Sequence, residues 1–401
     1  MNGHASALAA DLLARNFAST DELVIGGVPV SDLVRAYGSP LYVYDAALAR
    51  RSYRALSAAV RGFADVFYSV KANPRPDVAR IFVEEGAGLE VASERELQVA
   101  LKAGAHTSRI LFAGPGKSEA ELAFAVRSRI GEIHVESYEE IAALGRIAHN
   151  EGERVRVGVR VNPVAAAQGG AMRMGGKPAA FGFDEEILAD VVAAIAREPM
   201  LELVGIHLFA GTQILDADTL LLQWGHGLDL AARLADMIGR PLHTIDLGGG
   251  LGIPYHGADR ALDLAKIAQG ASALAARKAT HALLRDARVV LEPGRFLMGE
   301  AGIYLMSVRA VKRSRGARFI IADGGMHHHL AASGNLGQVM KRDYPIVAAT
   351  KLRAPAEDVA ALVGPLCTPL DTLARQTAFP ELVVGDLIAV LQSGAYGLTA
   401  S

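Results

Sequence analysis

A single cysteine, Cys367, stands among 401 residues, so no intrachain disulfide can form and a reducing compartment is expected. Net charge is nearly absent as well: 41 basic side chains against 43 acidic ones leave −2. A nucleic-acid binder that works by neutralising phosphates carries a basic excess, which this chain lacks. With 51% hydrophobic residues it is not a disordered chain either. No apolar run reaches the roughly 18 residues that a membrane span requires. Met1 to Thr20 lacks the basic start and unbroken apolar core of a signal peptide, because Asp11 and Arg15 interrupt it. The expectation is a cytoplasmic protein with neither a membrane nor a nucleic acid as partner. The length favours two domains, although an α/β barrel alone can use about 250 residues.

Short runs rich in Val, Ile, Leu and Phe recur along the chain, each followed by a turn and a longer segment of helical period. They are Val66 to Val70, Leu89 to Ala92, Ile110 to Ala113, Ile133 to Val135, Val155 to Val161, Leu203 to Phe209, His243 to Leu247 and Val289 to Leu291. Helices are expected between them over Asp77 to Glu85, Glu94 to Lys102, Glu119 to Arg127, Tyr138 to Ala148 and Glu185 to Arg197. Ser93 with Glu96, and Ser118 with Glu121, have capping-box spacing. Eight strand–helix repeats are what a (β/α)8 barrel needs, with a doubly wound open sheet as the competitor. After Arg295 the pattern becomes β-like, over Ile303 to Lys312, Arg318 to Ala322, Pro345 to Ala349, Ala360 to Leu366 and Leu387 to Gln392. The expected organisation is a barrel over 40–295 and a mostly β domain from 1–39 and 296–401, with Leu41 to Tyr44 pairing with the β domain or entering the barrel from it.

In such a barrel, reactive groups collect where strands end. Those positions hold Lys71, Glu90, Arg160, His207, the run Gly248-Gly249-Gly250, and Glu292-Pro293-Gly294-Arg295. A lysine where an apolar strand meets a turn can be desolvated into a Schiff-base nucleophile; taken alone it reads more readily as a solvated strand cap, and its neighbours reverse that reading. Successive glycines let backbone N–H groups approach a phosphate, although a bare glycine run also suits a ligand-free turn. Together these groups suggest a phosphorylated aldehyde cofactor.

The segments Tyr68-Ser69-Val70-Lys71-Ala72-Asn73, Glu90-Val91-Ala92-Ser93, His207 with Gly211-Thr212-Gln213, the run from Gly248 to Tyr255, and Glu292-Pro293-Gly294-Arg295 resemble the fold-type III pyridoxal-phosphate decarboxylases, which include the diaminopimelate, ornithine and arginine decarboxylases. The likeness continues through Asp323-Gly324-Gly325, Gly364-Pro365-Leu366-Cys367 and Gly394-Ala395-Tyr396-Gly397. It implies an alanine-racemase-like barrel with a C-terminal β domain, pyridoxal 5′-phosphate as cofactor, and a homodimer. Lys71 would hold the cofactor covalently, His207 would stack on its ring, and Glu292 would bind the pyridine nitrogen. A carboxylate there keeps the nitrogen protonated, which favours decarboxylation over the racemase of the same fold with its arginine. Gly249, Gly250, Gly294, Arg295 and Tyr396 would hold the phosphate, while Arg160 and Glu90, with Glu96 nearby, shape the polar side of the ring. Glu90 stands where many relatives have Asp. On the substrate side the likeness implies Asp323, Cys367 and Asp371, the last two entering the partner subunit's site, with Cys367 as proton donor.

Two departures bear on substrate. The turn after His207 is longer, Leu208 to Gln213, and Met326 is followed by His327-His328-His329-Leu330-Ala331-Ala332-Ser333-Gly334-Asn335, where a diaminopimelate decarboxylase is expected to carry an arginine and a tyrosine. A free distal carboxylate thereby loses its bidentate partner. The segment Met326 to Gly337 and the glycine-rich insertion Gln168 to Gly182 resemble a subgroup that includes a glutamyl-carrier-protein decarboxylase and exosortase-associated relatives. A tethered or unusual amino acid, presented by an acyl carrier protein, is therefore expected. meso-Diaminopimelate decarboxylation and non-catalytic cofactor binding are the alternatives. Relatives continue past Gly397 through a closing strand, so an exposed sheet edge is expected if the chain naturally stops at Ser401.

Three motifs point elsewhere. Gly114-Pro115-Gly116-Lys117-Ser118 ends like a P-loop, but Leu111 occupies the position of the required first glycine. The three consecutive histidines cannot all face one ion from a regular element, which favours a polar loop over a metal site. Arg309, Lys312, Arg313 and Arg315 read as a solvated turn, with the acidic surface of a carrier protein as the other candidate.

Overall fold

The apolar runs expected as strands close into one parallel barrel. In this computed structural model, which describes residues 6–164, 172–173, 178–209, 211–335 and 342–401, the barrel strands are β1 Asp65–Ser69, β2 Gly88–Val91, β3 Ile110–Phe112, β4 Glu132–Val135, β5 Val155–Asn162, β6 Leu201–Leu208, β7 Thr244–Asp246 and β8 Arg288–Leu291. Each pairs in parallel with its neighbours, and β4 closes on β5 with Ile133 opposite Val157. Strands covered on both faces are buried throughout: β2, β3 and β4 are buried at every position, Glu90, Glu132 and His134 included. A core of Phe67, Leu111 and Val290 fills part of the interior.

Local capping sets where the helices begin. Ser118 and Glu121 form the complete reciprocal box at the start of Glu119–Arg127. At Glu94–Lys102 only half of the expected box is made. Ser93 Oγ accepts from Glu96 N, while the Glu96 carboxylate turns back to accept from Ala92 N at 2.8 Å.

The chain divides into two compact units, one of residues 50–253 with 261–297 and one of 1–49, 254–260 and 298–401. The first contains the barrel. The second is built on a seven-stranded sheet around the long strand Gly302–Ser314. Leu41–Tyr44 pairs antiparallel with that strand, from Gly302 opposite Tyr44 to Leu305 opposite Leu41. Gly302–Ser314 is buried over its first five residues and exposed at Lys312, Arg313 and Ser314, where Arg313 pairs with Asp358 at 2.8 Å. The expected strand Ala360 to Leu366 runs instead over Asp358–Val363, and a further strand, Thr372–Phe379, pairs with it. Among the described residues no helix is long and apolar enough to cross a membrane.

Candidate active site

Lys71 sits in the single helical turn Val70–Ala72 at the end of β1. Register places Ser69 beside Glu90 of β2, and the Glu90 carboxylate gathers both neighbours: Lys71 Nζ lies 2.9 and 3.0 Å from its two oxygens, and Ser69 Oγ donates at 2.5 Å. The Glu90 side chain is buried and that of Lys71 is 43% exposed, so the amine is anchored from below and open above. Glu96 lies nearby, its pKa pushed up to about 7 by burial first and then by the Glu90 charge.

Across the barrel, β5, β6 and β7 place Arg160, His207 and Asp246 at one level. Glu292 follows β8, and its Oε2 lies 3.4 Å from His207 Nε2. Burial drives the His207 pKa down to about 4, so the ring is neutral at neutral pH. Burial alone would raise Glu292, yet His207 first and then Asp246 hold its pKa below the usual carboxylate range. Asp246 moves the other way, raised by burial first and then by the Glu292 charge. Arg160 Nη1 donates to Glu136 Oε1 at 2.8 Å, and its guanidinium lies 5.1 Å from the Phe181 ring centroid.

The glycine run after β7 makes the opposite wall. Gly248 and Gly250 take φ of 68° and 93°, the left-handed region, and Asp246 Oδ1 accepts from Gly248 N at 2.9 Å. Gly249 packs so closely that a Cβ would lie 2.5 Å from Glu292 O, and one on Gly294 would lie 2.8 Å from Ala72 Cβ. These positions leave backbone exposed where a side chain cannot stand. Arg295 opens the short helix Arg295–Met298 beside them.

A concave end lined by a lysine, a neutral imidazole, a buried carboxylate and a glycine cradle fits a phosphorylated pyridine aldehyde. Among the described residues, Glu292 Oε1 and His207 Nδ1 are buried without a hydrogen-bond partner, which suits a ring nitrogen opposite one and an aromatic face against the other. The fold and this chemistry define a barrel enzyme of the pyridoxal-phosphate class. Residues 47–299 match the family described as "Pyridoxal-dependent decarboxylase, pyridoxal binding domain". The chain is 37% identical to the L-glutamyl-[BtrI acyl-carrier protein] decarboxylase of Niallia circulans over 93% of its length and 87% of that protein's, and 34% identical to the diaminopimelate decarboxylase of Aquifex aeolicus over 95% and 87%. Among solved structures, Helicobacter pylori diaminopimelate decarboxylase complexed with L-lysine superposes with a TM-score of 0.82 at 28% identity, over 93% of this chain and 90% of that one. The chain belongs to the pyridoxal-phosphate-dependent decarboxylases. It is an enzyme of that class, with pyridoxal 5′-phosphate as its cofactor.

The remaining expected residues lie in the β unit. Cys367 is a free, exposed thiol in the loop between Asp358–Val363 and Thr372–Phe379. Asp371 is buried, and its carboxylate accepts from Met326 N at 2.6 Å and Leu366 N at 2.9 Å, tying the Cys367 loop to the histidine loop. Asp323 accepts from Ser39 Oγ at 2.6 Å and from Ser307 N at 2.9 Å. Tyr396 adopts φ of 59° in the last turn. His327 is exposed, His328 half-buried and His329 buried, with His329 Nε2 3.0 Å from Ser393 Oγ. The P-loop-like lysine, Lys117, is buried and donates to Gly114 O at 2.8 Å, to His134 O at 2.7 Å and to Glu140. Of the segments thought to distinguish the subgroup, residues 168–171, 174–177, 210, 336 and 337 lie outside the described residues.

Sequence reasoning gave no role to Glu132, His134, Glu136 or Asp246. A usable signal was present: Glu132-Ile133-His134-Val135 alternates polar and apolar residues in and just before the strand expected over Ile133 to Val135.

Proposed function

We propose that this decarboxylase acts on an amino acid held by an acyl carrier protein, glutamate being the leading case, rather than on free diaminopimelate. The observation that carries this reading is the loop after Met326, where three histidines replace the expected guanidinium clamp. Burial lowers the pKa of His328 and drives that of His329 down to about 3, so neither offers a fixed positive charge to a free distal carboxylate at neutral pH. A thioester-tethered side chain has no such carboxylate to recognise. The carrier-bound substrate named for the Niallia circulans relative supports the same reading.

The residues divide the work as follows. Lys71 Nζ, held by Glu90, is the covalent anchor of the cofactor. His207 would pack on its ring, Glu292 would keep a proton on the ring nitrogen, and Arg160, held by Glu136, would order the polar side. Gly249, Gly250, Gly294 and Arg295 would bind its phosphate. When bound, pyridoxal phosphate supplies an electron-accepting ring for the pair left by departing carbon dioxide. Cys367 Sγ, placed by Asp371, returns the proton to the carbon that lost carbon dioxide, working in the partner subunit's site within a cytoplasmic homodimer. Asp323 orders the segment that follows it through Ser39 and Ser307.

Mass spectrometry of a glutamyl-loaded carrier protein tests the reading. Incubation with the holoenzyme should remove the mass of one carbon dioxide from the tethered group. An unchanged loaded carrier, alongside brisk carbon dioxide release from free diaminopimelate, would return the enzyme to lysine biosynthesis. Cofactor binding with no release from any substrate would leave a non-catalytic cofactor carrier.

A further inference from the structure

The strand Thr372–Phe379 carries one residue more than its partner Asp358–Val363 between the pairs Ala374–Leu362 and Thr377–Ala360. The extra residue makes a β-bulge, which turns the adjacent Arg375 and Gln376 outward together. Arg375 N donates to Asp343 Oδ2 at 2.9 Å, joining the bulge to the segment that leads into the strand Ile346–Ala348.

The bulge forms one wall of a cavity of about 730 Å3 that is lined by the β unit alone, and a cavity of that size takes a small-molecule ligand. Its other walls come from Tyr255 and His256, from the segment Arg342 to Ile346, and from the start of the helix Ala7–Asn16. The Tyr255 and Tyr344 rings pack with centroids 4.7 Å apart, and Tyr344 also meets the buried His329 ring edge-on at 5.4 Å. The cavity therefore backs onto the histidine loop. His256 Nδ1 donates to Asp343 O at 3.3 Å, and burial first, with the Arg342 charge, lowers its pKa against the opposing pull of Asp259 and Asp343. Arg342 and Arg375 thus supply the positive charge. Asp343 is the one carboxylate among the described lining residues, and one of its oxygens is already taken by Arg375 N. Among the described residues the Arg375 guanidinium has no ion-pair partner. Two guanidiniums beside an aromatic pair suit a phosphate ester joined to a hydrocarbon segment, because the planar forks match phosphate oxygens and the rings cover the carbon chain.

We propose that this cavity binds the phosphate ester at the root of the phosphopantetheine arm on which a carrier protein holds its acyl group. The inference deepens the carrier-protein reading and rests on it. Arg342 and Arg375 are specificity residues for the carrier-bound substrate, since they touch the arm and none of the reacting atoms.

The test uses holoenzyme, in which the cofactor fills its own phosphate site, and compares the wild type with the double variant Arg342→Gln/Arg375→Gln, with thermal unfolding as the control for folding. Calorimetric titration with 4′-phosphopantetheine and with pantetheine reads the cavity without turnover. The phosphorylated compound should bind the wild type at least about tenfold more tightly, the worth of one charge-assisted contact, and the advantage should vanish in the double variant. Equal affinities for the wild type, or an advantage that survives in the folded double variant, would overturn the proposal. Inorganic phosphate that competes as well as 4′-phosphopantetheine would do the same, because it would leave a general anion site. Kinetics give the second reading. With the glutamyl-loaded carrier the double variant should raise KM about tenfold and keep kcat, whereas glutamyl-pantetheine, which lacks the phosphate, should be turned over equally by both enzymes. A loss shared by both substrates would count against the site. Turnover of the loaded carrier without any preference for the phosphate sinks this proposal alone; a wild type that releases carbon dioxide from neither thioester refutes the carrier-protein reading beneath it.

Discussion

Lys71 has its amine between the two oxygens of a buried Glu90, and that geometry makes it both anchored and reachable. Lys71→Ala should abolish the visible absorbance of bound cofactor and carbon dioxide release together. A variant that keeps the absorbance would show that another amine holds the cofactor. Cys367→Ser should bind pyridoxal phosphate normally and lose about 100-fold in carbon dioxide release, the usual worth of a positioned proton donor, as a kinetic assay would show. At this scale the sequence was informative wherever a residue ends a strand: Lys71, Glu90, Arg160, His207 and Glu292 all stand at the ends of barrel strands, in one unit. It was less so for Asp371, whose substrate role was expected from motif order. Whether its carboxylate is spoken for by the amides of Met326 and Leu366 depends on how two loops fold together, which spacing does not encode.

The strands and helices show where periodicity suffices and where it fails. All eight barrel strands were legible because short runs rich in apolar residues, each followed by a segment of helical period, mark them even where Glu90, Glu132 or His134 interrupts the run. Thr372–Phe379 was not, since Arg375 and Gln376 are adjacent and both exposed, which breaks the alternation expected of a half-buried strand. Two predictions belong here. Gly205→Ala would put a Cβ 2.7 Å from the Thr244 carbonyl oxygen as well as from Glu132, so chemical denaturation should show a loss of about 1–3 kcal/mol, as overpacking costs. Glu96 accepts from Ala92 N, ahead of the N-cap Ser93, and has a folded pKa near 7, above the 4.5 of the unfolded chain. Its contribution to stability is therefore complete below about pH 4.5 and disappears as pH rises through 7. In cofactor-free protein, Glu96→Gln should flatten the stability curve across that window and be the more stable form above it, by about 3 kcal/mol at most. Parallel curves for the two proteins would show that Glu96 is ionised throughout.

For the whole molecule, a net charge of −2 supplies no long-range field, so selection falls to local groups. The proposed sharing of sites across a dimer is open to subunit mixing. Lys71→Ala and Cys367→Ala homodimers should each be nearly inactive, and a random mixture should recover roughly a quarter of wild-type activity through hybrids with one intact site. No recovery on mixing would place Cys367 in its own subunit's site or outside the reaction. The most direct test of the account as a whole is kcat/KM for carbon dioxide release, measured side by side for carrier-bound glutamate and free meso-diaminopimelate. The account predicts turnover of the carrier-bound substrate with diaminopimelate at least about 100-fold poorer, the discrimination expected when a charged group meets no partner. Equal or better turnover of diaminopimelate would contradict it.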